Sequence, residues 1–408
     1  MPNFVNKGNK YLFSWNEYFL QAEVSRINVN HESTRCQLIF TSLHPDAEPH
    51  ILQTRFNLES ARTRSELAKE MAIRYKIKEQ IDWKNLIEYL SVKTIREFEK
   101  GEPVIKLTSN DAITPLEYLI YPIAPLNKPT VLFGPPGSGK SQLLVALNMV
   151  IALPWVNNPL RLIPPKKPIV ALFCDYEADP EDIRRQLVSL TKGMGLDWVE
   201  LHYRRCSLPL ADDIEAVRNH IEEIGATCLF VDSMSLAAGE DLNAMKTATS
   251  YFRTLRNLKD ITSISLAHTS KEKETKYKTI IGSVLWEAGA RSVWEVRGEE
   301  DEDTFNIGLF HRKSNLSKKS LPLAFQLTYE NNLPVNITWH DPKSVPEFVE
   351  RMNTSQRILS TLKRGKVSSE DLVKLLDTKR NTIDAAVSRL SHKNLITGDS
   401  RGWGLPLL

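Results

Sequence analysis

Eight consecutive residues form the densest group of side chains able to do chemistry. Positions 134–141 are Gly-Pro-Pro-Gly-Ser-Gly-Lys-Ser, placed between the apolar run "TVLF" and the helical pattern "QLLVALNMV". This G-x-x-x-x-G-K-S pattern, in a strand–loop–helix context, lets backbone N–H groups close around a phosphate. The sequence therefore predicts nucleotide binding by Gly134, Gly137, Ser138, Gly139, Lys140, Ser141 and Gln142.

Two residues of this segment and one distant acid predict binding of ATP with Mg²⁺. The Lys140 ammonium can reach the β- and γ-phosphates, and the Ser141 hydroxyl is a magnesium ligand. Asp232 follows the apolar run "CLFV", at the end of a predicted buried strand. A carboxylate at this position completes the magnesium site, whereas the simpler alternative is a strand-end acid that caps a turn.

A base for hydrolysis is missing beside Asp232, because Ser233 follows it instead of a glutamate. The segment "PIVALFCDYEADPEDIRRQL" supplies another apolar strand that ends in Asp175 and Glu177. The carboxyl ends of parallel strands meet at one edge of a sheet, where ligands bind. Glu177 is therefore the candidate base, and the alternative is a solvated acid in an acidic loop.

The chain divides into three segments by pattern. Residues 1–112 alternate as strands and then become helical, which predicts an N-terminal α+β domain without a catalytic constellation. Residues 113–343 alternate apolar strands with helical stretches, as in an α/β domain with a mainly parallel sheet. Residues 344–408 follow the linker "HDPKSVPEF" and contain short helices with a glycine-rich tail.

Composition favours an ordinary soluble protein, with 41% apolar and 25% charged residues. Neither a signal-peptide pattern nor an apolar run of membrane-spanning length is present, so we expect a cytoplasmic protein without a membrane partner. The four cysteines lack CxxC spacing, and Cys174 and Cys228 are expected in the core.

Positive charge is concentrated at the C-terminal end. Residues 351–408 contain eleven Lys or Arg and five Asp or Glu, a balance of +6 against +3 for the whole chain. The remaining residues therefore carry about −3. A basic unit on a mildly acidic body favours a polyanionic partner at that end.

The arrangement of these motifs resembles the RecA-like P-loop ATPases, in particular the RepA-type hexameric helicase branch. The resemblance covers residues 113 to about 330 and is carried by the Gly134–Ser141 motif, "DYE" at 175–177 and the Asp232-Ser233 pair. In that family the catalytic glutamate ends the strand after the P-loop helix, which matches Glu177. The AAA+ family would place Asp-Glu at 232–233, so Ser233 counts against it.

The resemblance also implies a phosphate sensor and a DNA-binding loop. His268 ends the strand "ITSISLAH", where RecA-like proteins place a polar γ-phosphate sensor; a merely structural strand-end histidine is the alternative. The following segment is the second DNA-binding loop in RecA-like motors, and a solvated loop is the alternative. Its expected contacts to single-stranded DNA in a ring channel are Lys271, Lys273, Lys276, Tyr277 and Lys278.

A cation supplied to the neighbouring subunit is the next implication of the resemblance. Ring-forming RecA-like helicases carry a Lys/Arg pair after a late strand, and Arg312 and Lys313 match this position in "FNIGLFHRKSN". Lys313 is the favoured residue, Arg291 is a secondary candidate, and a basic surface turn is the alternative. We therefore expect a homo-oligomer, with a hexamer favoured.

The C-terminal pattern of three helices and a short hairpin looks like a winged-helix domain. Ile383, Val387 and Leu390 lie at helical spacing in "TKRNTIDAAVSRLSHKNLI", and "TGDSRGWGLPLL" predicts the wing. Such domains bind duplex DNA or dock proteins, and the basic balance favours DNA. The expected DNA contacts are Lys379, Arg380, Asn381, Arg389 and Arg401.

These features together predict an ATP-hydrolysing, ring-forming DNA helicase or translocase. Two alternatives stay open: an ATP-switched DNA-binding or regulatory protein without unwinding activity, and a filament-forming recombination mediator.

Overall fold

The computed structural model of the chain describes residues 2–7, 10–30, 33–77, 81–101, 104–239, 241–270, 279–301, 304–352, 354–363 and 365–406. The chain forms two compact units, residues 1–113 and 114–408. Within the described ranges, we find no helix with the length and apolar character needed to cross a membrane. The three-domain division with boundaries after 112 and 343 stays a prediction.

The first unit is an antiparallel sheet followed by two helices. Its strands follow each other in the order β1-β2-β3-β4-β5. The elements are β1 (Asn3–Asn6), β2 (Lys10–Trp15), a 3₁₀ turn (Asn16–Tyr18), β3 (Leu20–Asn30), β4 (Ser33–Ser42), β5 (His50–Asn57), α1 (Ala61–Arg74) and α2 (Trp83–Glu99).

Alternation along these strands places one face of the sheet in a core. Phe13, Leu38 and Phe40 are fully buried there, together with Met71 of α1 and Leu90 of α2. Both helices begin at a side-chain cap, because the Ser60 hydroxyl accepts the Thr63 N–H and the Asp82 carboxylate accepts the Asn85 N–H.

The second unit is built on a nine-stranded sheet with the strand order β10-β9-β11-β12-β8-β13-β14-β15-β16. Its strands are β8 (Pro129–Gly134), β9 (Ala171–Asp175), β10 (His202–Arg205), β11 (Cys228–Asp232), β12 (Thr262–His268), β13 (Ser292–Asp301), β14 (Thr304–Ser314), β15 (Leu323–Glu330) and β16 (Leu333–His340). The ladders from β10 to β13 are parallel, and those from β13 to β16 are antiparallel. A small antiparallel pair precedes them, β6 (Tyr118–Ile120) and β7 (Ala124–Pro125). The mainly parallel sheet predicted from the sequence is confirmed.

Helices cover both faces of this sheet, which explains why its central strands are almost continuously apolar. On one face lie α3 (Lys140–Ala152) and α4 (Pro180–Gly193). The other face is covered by α5 (Leu210–Ile224), α6 (Met234–Ala238), α7 (Met245–Asn257) and α8 (Leu285–Gly289). The carboxyl ends of β8, β9, β11 and β12 therefore share one edge, at the N-terminus of α3.

The C-terminal elements are α9 (Pro346–Arg351), α10 (Thr354–Leu362), α11 (Ser369–Leu376), α12 (Arg380–His392), β17 (Thr397–Asp399) and β18 (Gly402–Gly404). Helix α9 packs on the large sheet, where the Phe348 and Phe310 rings are 5.8 Å apart and Gly308 leaves room for Phe348. Helices α10–α12 surround their own core, which includes Ile358, Leu372 and Ile383. The β17–β18 hairpin follows them, and the assignment of these elements to a winged helix stays a prediction.

His311 is a buried histidine that the sheet holds neutral. It stacks on Trp294, its ladder partner, with ring centroids 4.1 Å apart and an interplanar angle of 9°. Its Nδ1 accepts the Ser320 N–H at 2.9 Å, and its Nε2 lies 3.4 Å from the Ser292 hydroxyl. Burial lowers the pKa of His311 to about 4.

This shift predicts a loss of stability in mild acid. The unfolded chain takes up a proton near pH 6.5, whereas folded His311 does not until about pH 4. The His311 contribution is therefore complete above about pH 6.5 and declines as the pH falls towards 4. Between about pH 7.5 and pH 5, the free energy of unfolding should fall by about 2 kcal/mol from this residue.

Urea unfolding of wild type and His311→Phe at both pH values measures this contribution. Phenylalanine keeps the stack on Trp294 but cannot titrate, so its stability should fall less in acid. His220→Gln, at an exposed position on α5, is the control and should behave as wild type. An equal acid loss in wild type and His311→Phe contradicts the prediction.

Candidate active site

The loop between β8 and α3 has the conformation expected of a phosphate-binding loop. Gly137 and Gly139 have φ of +74° and +79°, a region that favours glycine. At Gly134 the constraint is space, because a Cβ there would lie 2.3 Å from the Val296 carbonyl oxygen. The glycines are thus needed for backbone conformation and for close packing.

Lys140 begins α3 and is held by the loop itself. Its ammonium donates hydrogen bonds to the carbonyl oxygens of Gly134 and Pro135, at 3.1 and 2.8 Å. The side chain is buried, and desolvation lowers its pKa to about 8, although Asp232 and Glu177 oppose the shift. A phosphate would give this poorly solvated cation a far stronger partner than two carbonyls.

Ser141 and Asp232 meet across 91 positions of sequence. The Ser141 hydroxyl donates to the Asp232 carboxylate at 2.7 Å. Burial raises the pKa of Asp232 to about 6, and neighbouring Glu177 and Asp175 also raise it, while the Ser141 hydrogen bond opposes the shift. A hydroxyl and a carboxylate are hard oxygen ligands, so these residues fit Mg²⁺. The peptide bond between Asp232 and Ser233 is cis.

Glu177 and His268 come together above the same loop. His268 Nε2 and Glu177 Oε1 are 3.2 Å apart, and both side chains are partly exposed. In the ladders, His268 is the partner of Gly134 and Asp232 is the partner of Asp175. The candidate base, sensor, magnesium ligands and lysine thus surround one point at the sheet edge.

Asp175 has a structural role that differs from that of Glu177. The sequence predicted Glu177 as the base but assigned no role to Asp175. Its carboxylate accepts the backbone N–H groups of Glu177 and Ala178 at 2.9 and 3.0 Å, and the Tyr203 hydroxyl at 3.1 Å. Asp175 therefore shapes the turn that carries Glu177. Tyr203 was not singled out in the sequence, because it lies on a different strand and no local motif marks it.

Arg312 and Lys313 both have partners within their own chain. The Arg312 Nε donates to Glu295 at 2.6 Å, and Arg297 binds the same fully buried carboxylate. The Lys313 ammonium donates to the carbonyl oxygens of Glu287, Ala288 and Ala290 at 2.7–2.9 Å, so it caps the C-terminus of α8. Glu295 was not identified from sequence, since it precedes Arg312 by 17 positions.

Arg291 is the least constrained of the three candidate cations Arg291, Arg312 and Lys313. Its backbone is fixed, because its N–H donates to the Pro129 carbonyl at 2.9 Å and its own carbonyl accepts the Asn315 N–H. The residue is exposed, and among the described residues no hydrogen bond or ion pair of its guanidinium is found. It lies close enough to Lys313 to lower the pKa of that ammonium, after burial as the larger cause.

The predicted DNA contacts divide into two groups. Lys271, Lys273, Lys276, Tyr277 and Lys278 lie outside the described residues. The predicted contacts on α12 and in the hairpin are all exposed: Lys379, Arg380 and Asn381 at the start of the helix, Arg389 in its last turn, and Arg401 in the hairpin. Arg380 is near Glu370 and Asp384, at 3.5 and 3.4 Å, so part of its charge is already compensated.

Comparison with known proteins supports the ATPase core. Residues 98–274 match the model of the AAA domain family, a range that contains the P-loop, Glu177, Asp232 and His268. No curated protein matches the chain. Among solved structures, a KaiC-like protein, PH0186 from the archaeon Pyrococcus horikoshii OT3, is 15% identical, with 55% of this chain and 100% of that chain covered. The TM-score of this match is 0.39.

The sheet, the P-loop and the match of residues 98–274 to the AAA domain family together support an ATPase domain with a mainly parallel α/β core.

Proposed function

We propose that this protein is an ATP-hydrolysing, ring-forming DNA motor of the RecA-like class. The observation that carries the proposal is the cluster of Lys140, Asp232, Glu177 and His268 at one sheet edge. It contains a phosphate cation, a metal carboxylate, a base and a polar group next to the base. A protein that only bound nucleotide would not need the last two.

The chain's own residues divide the work of hydrolysis. Lys140 exchanges the carbonyls of Gly134 and Pro135 for phosphate oxygens. Ser141 and Asp232 would hold Mg²⁺, which would supply further positive charge to the phosphates. Glu177 orients and deprotonates the attacking water.

His268 links the site to the segment that follows β12. Glu177 holds its imidazole at 3.2 Å, and Thr269 comes directly after it. Two backbone hydrogen bonds, Ser270 N–H to Thr279 O and Ile281 N–H to His268 O, close this segment at its base. When the base turns to water and phosphate, His268 loses this partner, which would alter the end of β12 from which residues 271–278 continue. This is the proposed connection between hydrolysis and DNA.

The second candidate is an ATP-switched DNA-binding protein without unwinding activity. The observation that favours it is the Glu177–His268 contact itself, since a base held by a neighbour suits slow, regulated turnover. ATP turnover measured with and without single-stranded and duplex DNA, together with strand displacement, decides between the two. A motor hydrolyses faster on DNA and displaces a strand, whereas a switch does neither.

Replacement of Lys273, Lys276 and Lys278 by Ala should flatten the salt dependence of single-strand binding. Each lost phosphate contact should reduce the slope of log affinity against log salt by about 0.7. Lys166→Ala with Lys167→Ala, two exposed lysines elsewhere in the unit, is the matched control. An unchanged slope in the triple variant would show that this loop does not contact DNA.

Duplex binding should instead depend on the C-terminal helices. The structure sets the truncation point, because Phe348 and Met352 are buried with Phe310 and must be kept. A chain that ends at residue 353 should lose duplex affinity and keep its single-strand slope. Loss of both together would indicate one shared DNA site.

A further inference from the structure

Strand β10 holds the turn that carries the candidate base. This strand lies at the edge of the large sheet, with β9 as its neighbour. The ladder places Tyr203 beside Phe173, two residues before Asp175 on β9. Residues i and i+2 of a strand share one face of a sheet, so Tyr203 lies on the same face as Asp175. The Tyr203 hydroxyl can therefore reach the Asp175 carboxylate beyond the Phe173 ring.

The Asp175 carboxylate is buried, and both of its oxygen atoms have hydrogen-bond donors. Its Oδ1 accepts the backbone N–H groups of Glu177 and Ala178, at 2.9 and 3.0 Å. Its Oδ2 accepts the Tyr203 hydroxyl at 3.1 Å, and the Ala178 carbonyl oxygen lies 3.3 Å from the same hydroxyl. Among the described residues, Tyr203 is the one side chain that donates to Asp175. A buried carboxylate oxygen that loses its donor is costly, so without this hydroxyl Asp175 would turn towards other donors.

The Tyr203 ring is held independently of its hydroxyl. It stacks on the Phe173 ring, with the centroids 6.1 Å apart and an interplanar angle of 18°. It also packs against the core cluster that contains the fully buried Phe173. Replacement of Tyr203 by phenylalanine should therefore keep the stack and remove only the hydroxyl.

Two other contacts join β10 to the same turn. The Cys206 N–H donates to the Asp175 carbonyl oxygen at 2.7 Å, which fixes the backbone where the turn begins. Arg205 Nη1 lies 2.9 Å from Asp179 Oδ1, but both side chains are exposed. Exposed ion pairs contribute little to stability. The Tyr203 hydroxyl thus differs from both, because it acts on the carboxylate that holds the interior of the turn.

We propose that Tyr203 is a positioning residue for ATP hydrolysis, which acts on Glu177 through the Asp175 carboxylate. The Glu177 side chain is partly exposed, and among the described residues its one side-chain partner is His268. The direction of the Glu177 carboxylate therefore depends on the backbone of residues 175–178. Asp175 holds that backbone, and Tyr203 holds Asp175. The inference rests on the proposed ATPase function with Glu177 as the base.

Loss of the Tyr203 hydroxyl should slow hydrolysis without weakening nucleotide binding. A displacement of about 1 Å at a reacting group can cost about a hundredfold in rate. Tyr203→Phe removes one of the three donors to Asp175 and keeps both backbone donors. We therefore expect a smaller loss, of about tenfold in kcat. The P-loop is not altered, so the ATP dissociation constant should change by less than about twofold.

A double-mutant cycle with Glu177→Gln separates positioning of the base from a general loss of structure. If Tyr203 acts through Glu177, Tyr203→Phe costs about tenfold in the wild-type background. The same change costs almost nothing in the Glu177→Gln background, where the base is already lost. Single-turnover phosphate release measures the slow variants. Equal losses in the two backgrounds overturn the proposal, as does unchanged turnover of Tyr203→Phe in the wild-type background.

Tyr251→Phe is the matched control for loss of a buried tyrosine hydroxyl. The Tyr251 hydroxyl lies 2.8 Å from that of Ser265, and Tyr251 belongs to the core on the opposite face of the sheet. Its replacement should lower the urea midpoint and leave kcat close to wild type. Arg205→Ala should also keep kcat, since it removes only the exposed pair with Asp179. Urea midpoints of all variants report whether each is folded under the assay conditions, and a tenfold loss of kcat in Tyr251→Phe would also overturn the proposal.

Failure of the proposed function gives a different result. Wild-type protein without ATP turnover would reject the ATPase proposal, and a fast Glu177→Gln variant would reject the base. The positioning role alone is rejected when wild type is active, Glu177→Gln is slow and Tyr203→Phe has the same effect in both backgrounds.

Discussion

Glu177→Gln should bind ATP as wild type does and hydrolyse it at least about a hundredfold more slowly, as expected for loss of a general base. The amide keeps the size of the side chain and can still meet His268 Nε2, so the local geometry is retained. It cannot accept a proton from water. Nucleotide binding by fluorescence and phosphate release, measured on the same preparation, separate the two effects.

Glu181→Gln is the matched control for this experiment. Glu181 lies in the same acidic segment, at the start of α4, and its side chain is exposed and paired with Arg184. Its replacement removes the same charge from the same region without touching the cluster, so turnover should stay close to wild type. Near-wild-type turnover in Glu177→Gln would reject the base assignment and reopen the AAA+ interpretation.

The P-loop and its acid were predictable from sequence because each is a local motif. Gly134 to Ser141 act through a single turn, and Asp232 is recognised by the apolar strand before it. The fold class followed from the alternation of apolar strands and helical stretches. These features depend on neighbours within a few residues, which sequence patterns contain.

The contact between Glu177 and His268 depends on strand order. They are 91 positions apart, and only the order β9-β11-β12-β8 brings both to the P-loop. Sequence placed each at a strand end, which was sufficient to expect a common edge. It did not show that the Glu177 and His268 side chains are in contact, nor that the Asp175 carboxylate accepts backbone N–H groups of the turn.

The partners of Arg312 and Lys313 were not visible in the sequence for a similar reason. A register shift between Val293 and Trp294 leaves Arg312 without a direct ladder partner, and its guanidinium turns to Glu295. Lys313 donates hydrogen bonds to three carbonyl oxygens at the end of α8, a short helix that was not predicted from the sequence. Both residues of the basic pair in "HRKSN" thus bind groups of their own chain and stabilise its fold.

Position in the sheet restricts any role of these cations in ATP hydrolysis. Lys313 is the ladder partner of Val293, which in turn pairs with Val131 near the start of β8. Gly134 is three residues further along and two strands away, so its Cα lies about 14 Å from that of Lys313. Arg291 is at the same far edge, bonded to Pro129. A cation from this edge is therefore too far from the P-loop of its own chain to meet a nucleotide bound there.

Arg291 is the better candidate for that role once the contacts are considered. Lys313 donates to the Ala290 carbonyl, immediately before Arg291, and so positions the backbone from which this exposed guanidinium extends. We expect Arg291→Ala to bind ATP normally and to lose about a thousandfold in turnover, in the range of a missing arginine finger. Arg312→Ala should instead lower stability, because it removes one of the two arginines that compensate the fully buried Glu295 carboxylate.

A mixing experiment distinguishes a cation supplied in trans from a merely structural arginine. Arg291→Ala lacks only the cation and Lys140→Ala lacks only the pocket, so a mixed ring contains some intact pockets that face an intact arginine. Turnover should reappear when these two inactive variants are combined. The control is Arg291→Ala mixed with the double variant Lys140→Ala/Arg291→Ala. In that ring no pocket ever faces an arginine, so no turnover should return. If the first mixture co-assembles by mass and stays inactive, Arg291 does not act across the interface, and hydrolysis must draw its stabilising charge from within one subunit.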